Sequence, residues 1–199
     1  TRVFTRREGR REGDLVWIGN WGDDERSQEI RDFLITPVVS LGLRARVHGV
    51  RYPPDAIREL AAARIGYGGW LANYAVPDVF ARFAATIHIP RRPYVEALPG
   101  IPTIRMFEAL ACGIPLVSCW WHDLEQLFRT STDYLSVRTP AEMTRALRDV
   151  INDRALSASL TAHGRETILA KHTCAHRVDE LMAIAAEISG NPVERELTV

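Results

Sequence analysis

The sequence predicts an α/β fold: a Rossmann-like, doubly wound parallel sheet that ends in a helical pair. Three observations carry this reading. Short apolar runs closed by turn residues alternate with amphipathic stretches about six times, and such alternation lays successive strands side by side through helical crossovers. From Asp153 onward the apolar positions keep helical spacing only, first Leu156, Leu160, Ile168 and Leu169, then Val178, Leu181, Met182 and Ile184. A hydrophobic content of 46% over 199 residues is enough for one sizeable core.

In order, residues 1–13 carry Arg2, Arg6, Arg7, Arg10 and Arg11 among Glu8 and Glu12 without a helical or strand period, and read as a linker or cut end. Leu15-Val16-Trp17-Ile18-Gly19 is a first strand closed by glycine. Asp23 and Asp24 start a helix whose apolar positions are Ile30, Phe33, Leu34, Val38 and Leu41, and Pro37 should kink it by removing a backbone donor. Arg44 to Val50 reads as a second strand, Pro54 to Ala63 as a helix, and Gly66 to Leu71 as a third strand or turn. A helix near Val76 to Phe83 precedes a fourth strand, Thr86 to Pro90; Ile114 to Ser118 is the fifth. A short helix from Leu124 to Phe128, a strand from Tyr134 to Val137 and a helix from Ala141 to Ile151 complete the sheet. A single domain over 14–190 is expected, with 191–199 as a frayed tail.

With 25 basic and 25 acidic residues the net charge is zero, so no broad field draws in nucleic acid or an anionic membrane. Any anion site must be local. The apolar stretch from Phe33 to Leu43 is broken by Thr36, Pro37, Ser40 and Gly42, too short to span a bilayer, and no signal peptide is read. Cys112, Cys119 and Cys174 are odd in number and lack Cys-x-x-Cys spacing, which points to reduced thiols and a cytoplasmic protein. Lys171 is the sole lysine, so a Gly-Lys-Ser/Thr phosphate loop is excluded.

The densest chemistry lies between Gly100 and Ser118. Pro102 stiffens the approach, Thr103 can cap a short helix through its hydroxyl, and Gly113 ends that helix where a left-handed residue is needed. Arg105 sits in the first turn, where a cation opposes the helix dipole. That placement suits an anion bound at the unpaired N–H groups of the helix start. Glu108, three residues on, shares the face of Arg105 and could accept hydrogen bonds from two vicinal hydroxyls. The alternative is an Arg105/Glu108 ion pair on a solvated face.

The run Glu108-Ala109-Leu110-Ala111-Cys112-Gly113-Ile114-Pro115-Leu116-Val117 resembles the donor-binding signature of the GT-B glycosyltransferases of group 1 (family 4-like), and within them the CgeB-like spore maturation branch. Tyr67-Gly68-Gly69-Trp70-Leu71, Val76-Pro77-Asp78-Val79-Phe80 and Thr86-Ile87-His88-Ile89-Pro90 follow the same family's order of segments, and the resemblance runs from about Asp14 onward. It implies the C-terminal, nucleotide-sugar-binding half of a GT-B enzyme. Such an enzyme transfers a sugar from a nucleoside diphosphate to an acceptor hydroxyl, a hexosyltransferase reaction that needs neither metal nor cofactor. The acceptor-binding N-terminal domain would be the missing partner, with no nucleic acid involved. A nucleotide-sugar epimerase of the same architecture and a non-catalytic α/β binding module are the competing readings.

The resemblance assigns the donor to Glu108, Arg105, Thr103, Ile104 and Gly100, with the base resting near Trp70 and Leu71. Gly100 stands where the broader family has a second glutamate, which leaves sugar and stereochemistry open. Gly19, in the turn Gly19-Asn20-Trp21-Gly22, would let backbone approach a phosphate, although the Gly-x-Gly-x-x-Gly pattern fails. Arg91 and Arg92 offer guanidiniums for phosphate, against ordinary solvated charge. Arg26 is a weaker candidate for the basic pair many relatives carry near the first helix. His172, Cys174 and His176 are poorly spaced for a metal, and a Thr173 cap explains them better; it also matches the tail of CgeB-like relatives. His122 could be an acid/base but reads better as a turn residue.

Overall fold

The computed structural model describes residues 3–98 and 100–190. In chain order the elements are β1 (Gly13–Ile18), α1 (Asp23–Ile30), a π-helical turn (Arg31–Ile35), α2 (Thr36–Leu41), β2 (Ala45–His48), α3 (Pro54–Ala62) and β3 (Gly66–Tyr67). A 3-10 turn (Asn73–Ala75), α4 (Val76–Phe80), β4 (Phe83–His88), α5 (Arg92–Glu96), α6 (Ile104–Cys112) and β5 (Leu116–Cys119) follow. Then come β6 (Leu135–Val137), α7 (Pro140–Asn152), α8 (Arg154–Lys171) and α9 (Cys174–Ser189). The strands form one six-stranded sheet in the order β3-β2-β1-β4-β5-β6, every pair parallel. The order reverses between β1 and β4, so the loops leaving these two strands diverge and open a crevice at their carboxyl ends.

Helices cover both faces because successive strand residues point to opposite sides. Leu15 and Trp17 of β1 join Ile30, Leu34, Leu60, Met143 and Leu147 in one cluster; Val16 and Ile18 join Val79, Phe80, Met106, Leu110 and Ile168 in the other. The first face is therefore built by α1, α2, α3 and α7, and the second by α4, α6 and α8.

Pro37 does not produce a sharp kink at its own position. Its missing N–H falls at the start of α2, and the mismatch is absorbed one turn earlier, where Arg31–Ile35 widens to π-helical bonding. The segment from Leu124 to Phe128 is a turn and not a helix: the Asp123 carboxylate accepts the backbone N–H groups of Leu127 and Phe128 at 2.9 and 3.0 Å, which closes the chain locally. Residues 3–12 have no regular structure, yet they are docked. Phe4 packs on the second cluster, Arg7 pairs with Asp78 at 2.7 Å, and Glu12 N–H donates to the Arg82 carbonyl at 2.8 Å. The tail 191–199 lies outside the described residues.

The carboxyl ends of β1, β2 and β3 are stitched together by glycines. Gly19 N–H donates to the His48 carbonyl at 2.8 Å and Gly49 N–H to that of Gly69 at 2.9 Å. A Cβ on Gly49 would lie 2.0 Å from the Gly19 carbonyl oxygen, so backbone must move to admit any side chain. Gly49→Ala is expected to lower stability by about 1–3 kcal/mol, as overpacking of a rigid site does. Urea denaturation checks this, and an unchanged midpoint would refute the close-approach argument.

Candidate functional site

A cleft of about 450 Å3 opens where the loops after β1 and β4 part, walled on its far side by the segment from Ile101 to Arg105. Arg26 holds this region together. Its guanidinium donates to the Asn20 carbonyl through Nε at 3.2 Å and Nη2 at 2.5 Å, and to the Ile89 carbonyl through Nη1 at 3.1 Å. One side chain thus ties the β1 loop to the β4 loop across the switch point, with its guanidinium carbon 5.3 Å from the centre of the Trp17 ring. The backbone of Arg26 leaves the helical region, with φ −155° and ψ 15°, which turns the side chain inward from α1.

On the opposite wall His88, the last residue of β4, is buried and makes two side-chain hydrogen bonds. Ser118 Oγ donates to the Cys119 carbonyl at 2.7 Å, so it accepts from His88 Nδ1 at 2.9 Å. His88 Nε2 is then the acceptor, and the Thr103 hydroxyl donates to it at 2.9 Å. Burial, aided by the nearby Arg26 charge, pushes the His88 pKa down to about 3, which keeps the ring neutral and preserves this tautomer. The expectation that Thr103 caps its helix through the side chain is overturned. Thr103 occupies the N-cap position in extended conformation, but its hydroxyl is spent on His88 and no side chain caps α6. Among the described residues the N–H groups of Ile104 and Arg105 have no acceptor, and they stand at the cleft wall with the positive end of the helix dipole.

One turn into α6, Glu108 is 3% exposed, which rules out a pair on a solvated face. An ion pair nonetheless forms: Arg105 Nη1 contacts Glu108 Oε2 and lies 3.4 Å from Asn73 Oδ1. Glu108 Oε1 is buried and has no partner. Burial raises the Glu108 pKa, and Arg105 and Asn73 act against that rise. A carboxylate with one oxygen bonded and the other empty is an acceptor waiting for donors.

The structure brings Gly19, Arg91, Thr103, Ile104 and Arg105 together in the cleft lining, with Glu108 beneath Arg105. Gly100 is not in that lining; with φ +90° it turns the chain against Leu124. Arg92 points away from the cleft, with Nε 2.7 Å from Glu29 Oε1. Trp70 is 74% exposed, which excludes a core role, and Leu71 packs on the second cluster. Neither joins the cleft lining itself. Thr173 does cap α9, accepting the His176 N–H at 3.4 Å while its own N–H donates to His176 Nδ1 at 3.2 Å; His172 Nε2 donates to the Leu127 carbonyl at 2.8 Å. Among the described residues no group of three or more His, Cys, Asp or Glu is placed to hold a metal. His122 is exposed, its ring 6.0 Å from that of Trp120 and outside the cleft. Sequence reasoning undervalued Arg26 and missed His88 as a site residue, because neither role follows from spacing.

Residues 26–183 match the model of a family described as glycosyl transferase-like. The chain belongs to this glycosyl transferase-like family. Similar solved structures agree in fold. TarM, which one structure assigns to S. aureus, superposes with a TM-score of 0.70 at 12% identity, over 92% of this chain and 37% of that one. T4 phage β-glucosyltransferase (BGT), solved with UDP and Mn2+, gives 0.72 at 14% identity over 90% and 49%. The C-terminal domain of a group 1 family glycosyl transferase (LpcC) from Francisella tularensis gives 0.66 at 16% identity over 87% and 97%. This glycosyl transferase-like chain therefore spans less than half of the first two proteins and nearly all of an isolated C-terminal domain. No curated protein matches it by sequence.

The neutral His88 couples stability to pH. Its folded pKa of about 3 lies below the ordinary 6.5, so the unfolded chain takes up a proton first as pH falls. Stability held above pH 6.5 is lost toward pH 3, at up to about 1.4 kcal/mol per pH unit. His88→Gln should flatten that component, as read by chemical denaturation at stepped pH. Identical slopes in the two proteins would show that His88 is not the titrating group.

Proposed function

We propose that this chain is the donor-binding domain of a glycosyltransferase, taking a nucleoside-diphosphate sugar for transfer to an acceptor hydroxyl. The observation that carries the reading is α6 itself. Its open N–H groups and Arg105 face the cleft, and on the next turn a buried carboxylate keeps an oxygen without a partner. A diphosphate and a ribose present matching groups at that spacing: oxyanions for the helix start and two hydroxyls for Glu108. Arg91 stands on the same cleft lining, and the exposed ring of Trp70 offers an apolar surface for the base. T4 phage BGT and a TarM mutant, both solved with UDP, support the nucleotide class.

The transfer reaction belongs to the whole enzyme. Acceptor and donor must be positioned across a cleft between two domains, and positioning supplies much of the rate. An acceptor-binding N-terminal domain is therefore the proposed partner, and a hexosyl donor the proposed substrate. As the bond to the sugar breaks, charge grows on the departing diphosphate, where the α6 N–H groups and Arg105 stabilise it. Affiliation with the CgeB-like branch is supported by the His172-Thr173-x-x-His176-Arg177 run, which here serves as the α9 cap. Three unpaired cysteines support a cytoplasmic location.

Since cationic groups of the chain meet the diphosphate, nucleoside diphosphate affinity should persist in excess chelator. Binding lost on chelation and restored by magnesium or manganese would overturn that part. Substitutions separate the two roles on α6. Glu108→Gln should weaken nucleoside mono- and diphosphate by similar factors, since both carry the ribose. Arg105→Ala should penalise the diphosphate more. A charge-assisted hydrogen bond is worth roughly 1.5–3 kcal/mol, about tenfold to a hundredfold in affinity. Calorimetry reads these factors, with circular dichroism to establish folding. Unchanged affinities in both folded variants would return the pair to a purely structural role.

A further inference from the structure

A second concentration of positive charge lies at the amino-terminal edge of the sheet, opposite the crevice at the carboxyl ends. A cavity of about 780 Å3 opens there between the segment before β1, the start of β4, the turn from α6 into β5, and one face of α8. Arg6, Arg7, Arg11, Arg154 and Arg165 line it, and among the described residues no aspartate or glutamate does. Arg7 is neutralised by Asp78 at 2.7 Å, while among the described residues the other four make no ion pair. Of the acids adjacent to these arginines in sequence, Asp153 is committed to capping α8, accepting the N–H groups of Ala155 and Leu156 at 2.8 and 3.0 Å, Glu12 pairs with Arg82 and Arg46, and Glu166 pairs with Arg129.

The convergence comes from two anchored elements. The segment before β1 is pinned at Asp78 and again where Arg82 Nη1 meets Glu12 Oε1 at 2.8 Å, so Arg6 and Arg11 are carried to the cavity by a docked chain. On α8, Arg154 and Arg165 stand about three turns and 16 Å apart on one face. Ser157, Ala158, Thr161 and Ala162 form a floor of small side chains between them. Arg154 also occupies the first position of α8, against the helix dipole. Four unpaired guanidiniums gathered round a recess in a chain of zero net charge repel one another, and an anion relieves that repulsion.

We propose that this cavity binds an elongated polyanion carrying two or more phosphate groups. A single phosphate cannot touch both ends of the α8 face, whereas a chain of phosphates running along the small-residue floor meets guanidiniums from both elements. Guanidinium geometry favours bidentate contacts to such oxygens. The phosphates can belong to a free polyphosphate or to clustered anionic lipid headgroups, and both present the same chemistry.

Inorganic tripolyphosphate is the probe, titrated calorimetrically at low and raised salt. Wild-type protein should bind it with an affinity that falls as salt rises. Arg105→Ala removes the proposed diphosphate contact of the cleft at the opposite edge and serves as the background, and adding the double substitution Arg154→Ala with Arg165→Ala to it should cost at least about tenfold in affinity. Removing a cation from the first position of α8 does not threaten the helix, and thermal melting checks this. In a second arm, phosphatidylglycerol vesicles are compared with phosphatidylcholine vesicles. Retention on the former that tripolyphosphate competes away and the double variant lacks identifies lipid as the phosphate source; tripolyphosphate binding without vesicle retention identifies a free polyphosphate. Absence of tripolyphosphate binding by the Arg105→Ala protein at low salt, or an affinity that the added α8 double substitution leaves unchanged, overturns the proposal.

Discussion

A buried imidazole held neutral can join two elements without bringing a charge to either. His88 does this between β5 and α6, giving its Nδ1 proton to Ser118 and taking the Thr103 hydroxyl proton on Nε2. The consequence reaches the functional surface because Thr103 is the N-cap residue of α6. A hydroxyl that capped the helix in the ordinary way would occupy one of the N–H groups that here stand open at the cleft wall. Turned toward His88, it fixes the start of the helix against the sheet and leaves the dipole end open. Protonated His88 would lose its acceptor at Nε2 and set a positive charge near Arg26, so burial and that neighbouring guanidinium both act to keep the arrangement intact.

Glu108 presents the complementary problem. Desolvation penalises its charged form, and Arg105 and Asn73 offset only part of that penalty. An incompletely satisfied buried carboxylate is costly unless something else bonds to it. Vicinal hydroxyls reaching Oε1 would complete its shell, while oxyanions at the helix start would compete for Arg105. Under the proposed reading, this ion pair of the free protein would become two separate recognition groups in a loaded one. Binding would then require a modest rearrangement of one arginine side chain and not the opening of a loop.

Much of the fold was legible because hydrophobic periodicity is a local signal. The six strands, the crossover helices and the terminal helical pair all stand where runs such as Leu15 to Gly19 and Ala141 to Ile151 place them, to within a few residues. The order of α6 and β5 was legible for the same reason, with Gly113 ending the helix at φ +67°. What failed was side-chain partnership over distance. Thr103 looks like a cap from its neighbours alone, and only the fold brings His88 to it from 15 residues away. Arg92 looks equivalent to Arg91 until Glu29, 63 residues earlier, claims it. Arg26 is only a weak candidate from its sequence position, until the kink in α1 directs it between two strand ends. The turn after Asp123 has apolar spacing that suits a helix, and a single carboxylate overrides it.

Charge in this chain is balanced in sum and segregated in space. At the carboxyl edge of the sheet, Arg26, Arg91 and Arg105 surround a cleft, with the Glu108 carboxylate beneath Arg105. At the amino-terminal edge, Arg6, Arg11, Arg154 and Arg165 face a recess that no acid lines among the described residues. Between the two edges the sheet is covered on both faces by apolar helices, so neither group screens the other through the core. Net charge therefore says little about what such a protein attracts. A neutral total follows from surface pairs such as Arg31–Glu59 and Arg44–Asp14, which cancel locally and leave the two basic regions to act independently.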